Sequence, residues 1–438
     1  MHLILSAPAN RVIDALIAAD LTPLVVGGSV RDAVLGRESK DLDLEVHGAA
    51  SLAEVAIAVQ SLGAVAEQGA AFGILGVHVD GESFELSLAP STSLAECFSR
   101  RDFTINAMGW DPRSEELIDL VGGQRDLAKG VLRHTSERFG DDPLRVLRGV
   151  RFAGQLGFRF AAETKGVARQ LSDRYDEIAL ERVWGEWRRM ARTAVNWPEA
   201  LAALVDSGWD RHCAALSQTR GIPQDATWHS EGDVFTHLGL TAREAALAAH
   251  DLDPSDREVV VLAALLHDVG KVTHTVVSAQ RITSQGHAEA GVEPAHDLLS
   301  AIGAPAAVVT RILPLIREHM AHVSVQGSPS RPAVSRLARR LETSGASLDD
   351  WARVVDADCH GRVPRKSSPA AEWLAIAASF GGTAPRGILT GEHLIARGLA
   401  PGPAFSKILR DAVAAQDDEQ FSDEAGALRW LDARSDAE

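Results

Sequence analysis

The chain has 438 residues, 45% of them hydrophobic and 24% charged, with a formal net charge of −16. This length gives about two to four domains with ample core, in the composition of an ordinary soluble protein. The longest apolar run, Val259 to Leu266, is far too short to span a bilayer, and no basic-then-apolar leader precedes the first expected strand. Three scattered cysteines (Cys97, Cys213, Cys359), none in a CxxC, fit a reducing cytoplasm, so the expected protein is cytoplasmic and has no membrane partner.

In chain order, Met1 to Asp20 carries helical spacing (Val12, Ile13, Leu16, Ile17). Leu24 to Val46, LVVGGSVRDAVLGRESKDLDLEV, reads as strand, glycine turn, short helix, loop and second strand. Such a turn aims backbone N–H groups and a helix N-terminus at one spot, which suits phosphate. The strand period of two puts Asp41 and Asp43 on one face and Leu42 on the other. Two carboxylates beside a phosphate-holding turn make a Mg²⁺ site, since magnesium takes one or two carboxylates plus substrate phosphate oxygens. Ser51 to Leu62 starts with a capping box and continues as an amphipathic helix, and Gly73 to Val79 and Ser83 to Leu88 read as strands. Strand and helix in this order make an α+β head.

From Arg100 to Arg192 the chain holds 18 Lys and Arg against 15 Asp and Glu, a slightly basic stretch in an acidic protein. An RNA groove fits there, with modest affinity and strong salt sensitivity. Within RRDFTINAM, Arg101 offers a planar donor fork for a triphosphate. Asp102 is placed to hold that arginine or a ribose hydroxyl, and Asn106 the sugar. Ile118 to Arg133 reads as a hinge and spacer. Asp141 to Phe152 opens an arginine-lined helix, with Pro143 in its first turn and Asp142 and Arg145 three apart on one face. A carboxylate accepts an exocyclic amino hydrogen while a guanidinium donates to the neighbouring ring nitrogen or carbonyl. Such a pair reads cytosine or adenine and leaves uracil and guanine mismatched. Arg148 and Arg151 continue the stripe.

Together GGSVRD…DLDLEV, RRDFTINAM and DDPLRVLRGVRF resemble the class II tRNA nucleotidyltransferases and bacterial poly(A) polymerases, a branch of the polymerase-β-like nucleotidyltransferases. That resemblance covers almost continuously the first 190 or so residues. It implies a polymerase-β-like nucleotidyltransferase head followed by an all-helical neck, body, HD domain and tail. It also implies two Mg²⁺ ions on Asp41, Asp43 and Glu85, and nucleotide binding by Gly27, Gly28, Arg31, Asp32, Arg101, Asp102, Asn106, Asp142, Arg145, Arg148 and Arg151. The substrates implied are CTP, ATP and the 3′ end of tRNA. Residues 181–187, ERVWGEW, resemble the family's last neck motif, and a neck helix tied by Glu181 and Arg182 accounts for it.

Eleven of the 16 histidines fall between His212 and His360. The order His237…His267-Asp268…Asp358, with His287 and His319 between, resembles HD phosphohydrolases. The resemblance implies a divalent ion on His237, His267, Asp268 and Asp358, and mixed nitrogen and carboxylate ligands suit Mn²⁺, Fe²⁺, Ni²⁺ or Zn²⁺. Gln326 to Pro332 reads as a linker, Arg281 to Gly286 as a turn, and Ile388 to Leu409 as two short helices broken at PGP. Strand signals are confined to the head. The expected domains are a head over 1–135, a helical neck and body over 136–225, an HD domain over 226–365 and a tail over 366–438.

One departure from the family bears on the product. Class II enzymes carry a longer, charged loop before RRDF, whereas here Leu88 to Ser99 runs almost directly into Arg100. In the family that loop helps switch the pocket from C to A, so its loss favours CC addition, with a separate enzyme adding the last adenosine. Full CCA addition and poly(A) polymerisation are the alternatives within the branch, and an HD phosphohydrolase acting on RNA ends or nucleotides is the alternative outside it.

Overall fold

The computed structural model describes residues 3–37, 42–68, 73–325 and 327–435; Asp41 and Gln326, the start of the expected linker, lie outside them. The chain divides into two compact units, residues 1–179 with 199–209, and residues 180–198 with 210–438. The division expected between 135 and 136 therefore falls inside the first unit, and those at 225 and 365 inside the second.

In the first unit α1 (Ala7–Ala18) is capped by Ser6, whose side chain accepts from the Ala9 N–H, and it buries Val12, Ile13 and Leu16. β1 (Thr22–Val26) ends at Gly27, which sits at φ 79° and ψ −135°, a backbone state that a side chain would strain. α2 (Gly28–Val34) follows at once, and β2 (Leu42–His47) returns antiparallel to β1 with Val26 opposite Asp43. Then come α3 (Leu52–Val59), β3 (Ala64–Gln68), β4 (Ile74–Val79), β5 (Glu82–Leu88), α4 (Leu94–Ser99), β6 (Gly109–Asp111) and β7 (Glu116–Ile118). The sheet order is β3-β4-β5-β2-β1-β6-β7, so β2 is the middle strand. Leu44 and Val46 are buried on one of its faces, while Asp43, Glu45 and His47 share the other by the period of two. α4 belongs to the second face: its Cys97 and Phe98 pack with Leu24 and Val26 of β1.

The segment expected to be a hinge is instead bonded on both sides. Asp119 accepts from the N–H groups of Gly122, Gly123 and Gln124 at 2.7–2.9 Å and so caps α5 (Gly123–Ala128). Asp126 of α5, fully buried, accepts from Thr104 Oγ1 and Arg133 Nε at 2.9 Å each. β8 (Val131–Leu132), α6 (Arg145–Leu156), β9 (Arg159–Phe160) and α7 (Ala162–Leu171) follow, and residues 199–209 return to complete the unit. α6 packs so closely that a Cβ at Gly149 would lie 2.4 Å from the Phe160 ring and 2.7 Å from that of Phe103.

The second unit opens with α8 (Leu180–Thr193); α9 (Trp197–Asp206) belongs to the first from residue 199 on, and α10 (Ala214–Ser217), α11 (Val234–Ala248), α12 (Pro254–Leu266) and α13 (Lys271–His274) continue the second. α14 (His287–Ala290), α15 (Val292–Ala301), α16 (Ala306–Glu318), α17 (Arg331–Glu342) and α18 (Leu348–Gly361) follow. α19 (Ala370–Ala378), α20 (Gly391–Ala396), α21 (Pro403–Asp417) and α22 (Glu424–Ser435) close the chain. The apolar run Val259–Leu266 is buried throughout because α12 lies among α8, α11, α16 and α18. On α8, Glu181 and Arg182 are exposed; the buried Glu186 pairs within the helix with Arg189 at 3.1 Å, and Arg192 ties the helix to Glu258 of α12 at 2.6 Å. The expectation of helices alone after Ser136 is corrected by β9, and by a hairpin of β10 (Val276–Val277) and β11 (Ile282–Thr283) where only a turn was expected. Each of these strands is two residues long, too short to leave an alternating pattern. Among the described residues no helix is long and apolar enough to cross a membrane.

Candidate functional sites in the two units

In the first unit Asp43 on β2 is the register partner of Glu85 on the parallel strand β5. In-register residues of neighbouring strands point to the same face about 5 Å apart. Glu85 is exposed and Asp43 half-buried, so the pair opens to solvent. A Cβ at Gly27 would lie 3.2 Å from Asp43 Oδ2 and 3.6 Å from Arg101 Nη1, so the glycine turn rests against an acid and a guanidinium at once. A bare backbone beside clustered carboxylates is a fit cradle for a magnesium–phosphate group, whose oxygens need both.

Arg31, Asp32, Asn106, Asp102 and Arg148 form one chain of hydrogen bonds. Arg31 is bidentate to Asp32 at 2.9 Å through Nε and Nη2, and its Nη1 donates to Asn106 Oδ1 at 2.8 Å. Asn106 Nδ2 donates to Asp102 Oδ1 at 3.0 Å, which also accepts the Phe103 N–H at 2.7 Å, and Arg148 Nε donates to Asp102 Oδ2 at 2.9 Å. Burial alone would raise the Asp102 pKa, but Arg148 with the Asn106 and Phe103 bonds holds it below the usual carboxylate range. Asp102 is thus a buried anchor for α6 rather than the partner of Arg101 that the sequence suggested. Arg101 is held by Glu45, whose Oε2 accepts from Arg101 Nη2 at 2.8 Å. The two side chains part: Arg101 reaches the acidic face of β2, and Asp102 turns to α6. Glu45 continues the same alternation as Asp41 and Asp43, and that period of two was the available signal for it.

Asp142 is not in the first turn of the helix; it stands extended at φ −133° and ψ 102°, with Oδ1 accepting the Leu144 N–H at 3.2 Å. Arg145 opens the helix, and its guanidinium donates to the carbonyls of Arg138 at 2.8 Å and Arg100 at 2.7 Å. The Pro143 ring pushes the residue before it to extended backbone, so Asp142 stays outside the helix, which starts after Leu144, and the expected shared helical face does not form. Phe152 gathers the other arginines: the guanidinium carbons of Arg151, Arg31 and Arg148 lie 4.3, 5.4 and 5.7 Å from its ring centroid.

In the second unit the histidine cluster converges from five places. His237 of α11 lies 3.0 Å from Asp358 Oδ1 of α18 through Nε2 and 2.9 Å from Glu231 Oε1 through Nδ1. His267, at the end of α12, turns Nδ1 to the Ala264 carbonyl at 2.8 Å, which leaves an Nε2 lone pair aimed inward. That buried nitrogen has no hydrogen-bond partner, although Asp268 Oδ2 is 3.2 Å and Asp358 Oδ1 3.8 Å away. A lone pair facing carboxylate oxygens is repelled unless a cation stands between them, so these residues fit a divalent ion. His287 and His319 repeat the arrangement: Nδ1 faces the Ser284 and Ile316 carbonyls at 2.6 and 2.7 Å, and their Nε2 atoms meet at 3.1 Å.

Burial, with His267 and His287 nearby, pushes the His319 pKa down to about 3, so its imidazole is neutral at physiological pH. Burial opposes the charge on His237, but its bonds to Asp358 and Glu231 hold its pKa above the ordinary histidine value. Lys271 Nζ sits 2.6 Å from Asp268 Oδ2, and Arg362 Nη2 2.6 Å from Asp358 Oδ2. The structure therefore brings all four expected ligands together and adds His287, His319, His229 and Glu231. His229 Nδ1 shares Glu231 Oε1 with His237, at 2.8 Å. These last two were missed because a loop folds back onto α11, which spacing along the chain does not reveal.

Residues 24–93 and 88–133 match the Poly A polymerase head domain family, and residues 234–356 match the HD domain family. The "Multifunctional CCA protein" of Xanthomonas campestris pv. campestris (strain B100) is 35% identical over 320 residues, covering 68% of this chain and 74% of the relative. The protein so named from Neisseria meningitidis serogroup B (strain ATCC BAA-335 / MC58) is 33% identical over 388 residues, covering 80% and 86%. The Bacillus stearothermophilus CCA-adding enzyme in complex with CTP shares the fold with a TM-score of 0.66 at 21% identity, over 99% of both chains. The chain belongs to the class II tRNA nucleotidyltransferases, as a nucleotidyltransferase that joins a poly(A)-polymerase-type head to an HD domain.

Proposed function

We propose that this chain extends the 3′ end of tRNA with cytidines from CTP and leaves the terminal adenosine to a separate enzyme. The observation that supports nucleotidyl transfer is the register pairing of Asp43 with Glu85 beside the glycine turn. Asp43 and Glu85, with Asp41 outside the described residues, would hold Mg²⁺. Two such ions, when bound, would divide the work, one lowering the pKa of the RNA 3′-hydroxyl and the other steadying the pyrophosphate that leaves the α-phosphate. The chain's own part is positioning: the Gly27–Gly28 turn offers backbone N–H groups to the phosphates, and Arg101 reaches the same turn. Arg31 and Arg148, linked through Asn106 and Asp102, fix α6 against that turn. Asp142 and Arg145, at the head of α6, are the pair that would read the cytosine edge.

Cytidine alone, rather than C followed by A, is favoured by the connection between β5 and α4. Only residues 89–93 lie between them, and they are closed on themselves by Ser91, which bonds Glu96 at 2.8 Å and the Ser93 N–H at 3.2 Å. The names of the relatives favour full CCA addition, and ATP is then a second substrate. Incubating the protein with tRNA lacking its terminus, plus labelled CTP and ATP, separates these: products ending in CC support the proposal, and products ending in CCA overturn its narrower part. A failure to incorporate either nucleotide overturns both. The three unpaired, buried cysteines suit a reducing cytoplasm.

The unpartnered His267 Nε2 favours a second activity, hydrolysis of phosphate esters on RNA ends or nucleotides at the histidine cluster. His237, His267, Asp268 and Asp358 would hold the ion, of the Mn²⁺, Fe²⁺, Ni²⁺ or Zn²⁺ class, and Lys271 and Arg362 would offset the charge of a phosphate. A metal-dependent phosphatase activity that persists in Asp43→Ala and disappears in His267→Ala is the expected result.

A further inference from the structure

Two residues beyond Asp43, the same face of β2 carries a second convergence of donors that the nucleotidyl-transfer reading does not use. One ligand atom each of Glu45, His47 and Cys97 lies within 4.8 Å of the other two. His47 Nε2 is 3.1 Å from Glu45 Oε1. Glu45 and Cys97 are buried, while the His47 side chain is 13% exposed and is the way in.

We propose that Glu45, His47 and Cys97 bind one zinc-class divalent cation. The chemistry of the donors makes the choice: carboxylates alone take magnesium, whereas sulfur with imidazole selects Zn²⁺ or Co²⁺. Tetrahedral zinc with nitrogen, oxygen and sulfur ligands holds its donors about 3.3–3.8 Å apart, so small side-chain adjustments close the site. Glu45 already has the outer support that ligating carboxylates need, because Arg101 holds its other oxygen, Oε2, at 2.8 Å. Cys97 and Arg101 stand four residues apart at the end of α4, so both reach Glu45 from one side. Binding converts the Cys97 thiol to a thiolate bound to the ion, and its proton goes to solvent. The Glu45–Arg101 pair sums to zero charge; thiolate and ion together add one positive charge beside the turn proposed to hold the triphosphate.

Cobalt is the probe that isolates this site from the histidine cluster, whose converging groups include no sulfur. Full-length protein titrated with Co²⁺ should show a near-ultraviolet thiolate-to-cobalt charge-transfer band. The band should vanish in Cys97→Ser and persist in Cys359→Ser. In competition with a chelating dye, His47→Ala should weaken thiolate-reporting metal binding at least about tenfold. His47 lies at the end of its strand, so this variant carries the test if Cys97→Ser does not fold. A band that survives Cys97→Ser, the absence of any band in the parent, or unchanged affinity in His47→Ala overturns the proposal.

Discussion

Asp43 and Glu85 stand side by side on parallel strands, register partners at the centre of a seven-stranded sheet. Their backbones are fixed by the sheet hydrogen bonds, so the two residues stand on one face as neighbours before any nucleotide arrives.

Removing the half-buried member should cost more. Asp43→Ala is expected to lower single-turnover CTP incorporation by about a thousandfold or more, and the exposed Glu85→Ala by about ten- to a hundredfold. Rapid-quench measurement on truncated tRNA checks both. Full activity in Asp43→Ala would falsify the assignment of this strand.

Gly27→Ala tests the turn. The residue sits at φ 79°, and its new methyl would meet Asp43 Oδ2 at 3.2 Å and Arg101 Nη1 at 3.6 Å. A loss of about 1–3 kcal/mol in stability is expected from the strained backbone. A rise in KM for CTP should accompany it. Urea unfolding and steady-state kinetics measure the two separately.

The pH dependence of stability should change in Asp102→Asn. The Asp102 pKa lies below its ordinary 3.8 in the folded chain, so its contribution is complete above that value and is lost as pH falls through the lowered one. Asparagine removes the proton uptake and leaves Arg148 without its anion. Near neutral pH the variant should be about 1–3 kcal/mol less stable, and its acid limb below about pH 4 shallower. Urea midpoints taken across that range, parent against variant, give the comparison.

Metal content distinguishes the two units. His237→Ala removes a side chain that spans Asp358 and Glu231. Divalent metal retained after gel filtration should fall by about half or more in this variant, as read by atomic emission, with about ten- to a hundredfold weaker rebinding. Incorporation of CTP in added Mg²⁺ should stay near the parent level. Unchanged metal content would remove the cluster from consideration as a metal centre.

Much of the head was legible because its signals are local. The period of two on DLDLEV fixes which side chains share a face, and a glycine pair between a strand and a helix fixes the turn. The order of the histidines marked the four expected ligands, which the fold gathers. Less was legible where partners are far apart along the chain or where two residues compete for one guanidinium. Arg101 goes to Glu45 and Asp102 to Arg148 because of the paths their side chains take, and residue type did not decide between them. Asp142 left the helical face because the proline after it holds it extended and the helix starts only after Leu144, a boundary that spacing places only to within a few residues.

The sequence by itself determined the family, the acidic strand and its face, and the residue types that metals and phosphates require, since each rests on neighbours within a few positions. Tertiary structure alone decided that His229 and Glu231 join the histidine cluster, that Arg101 goes to Glu45, and that Cys97 meets Glu45 and His47. Those relations come from strand order and loop return, which packing of the whole core selects and no short stretch of chain encodes.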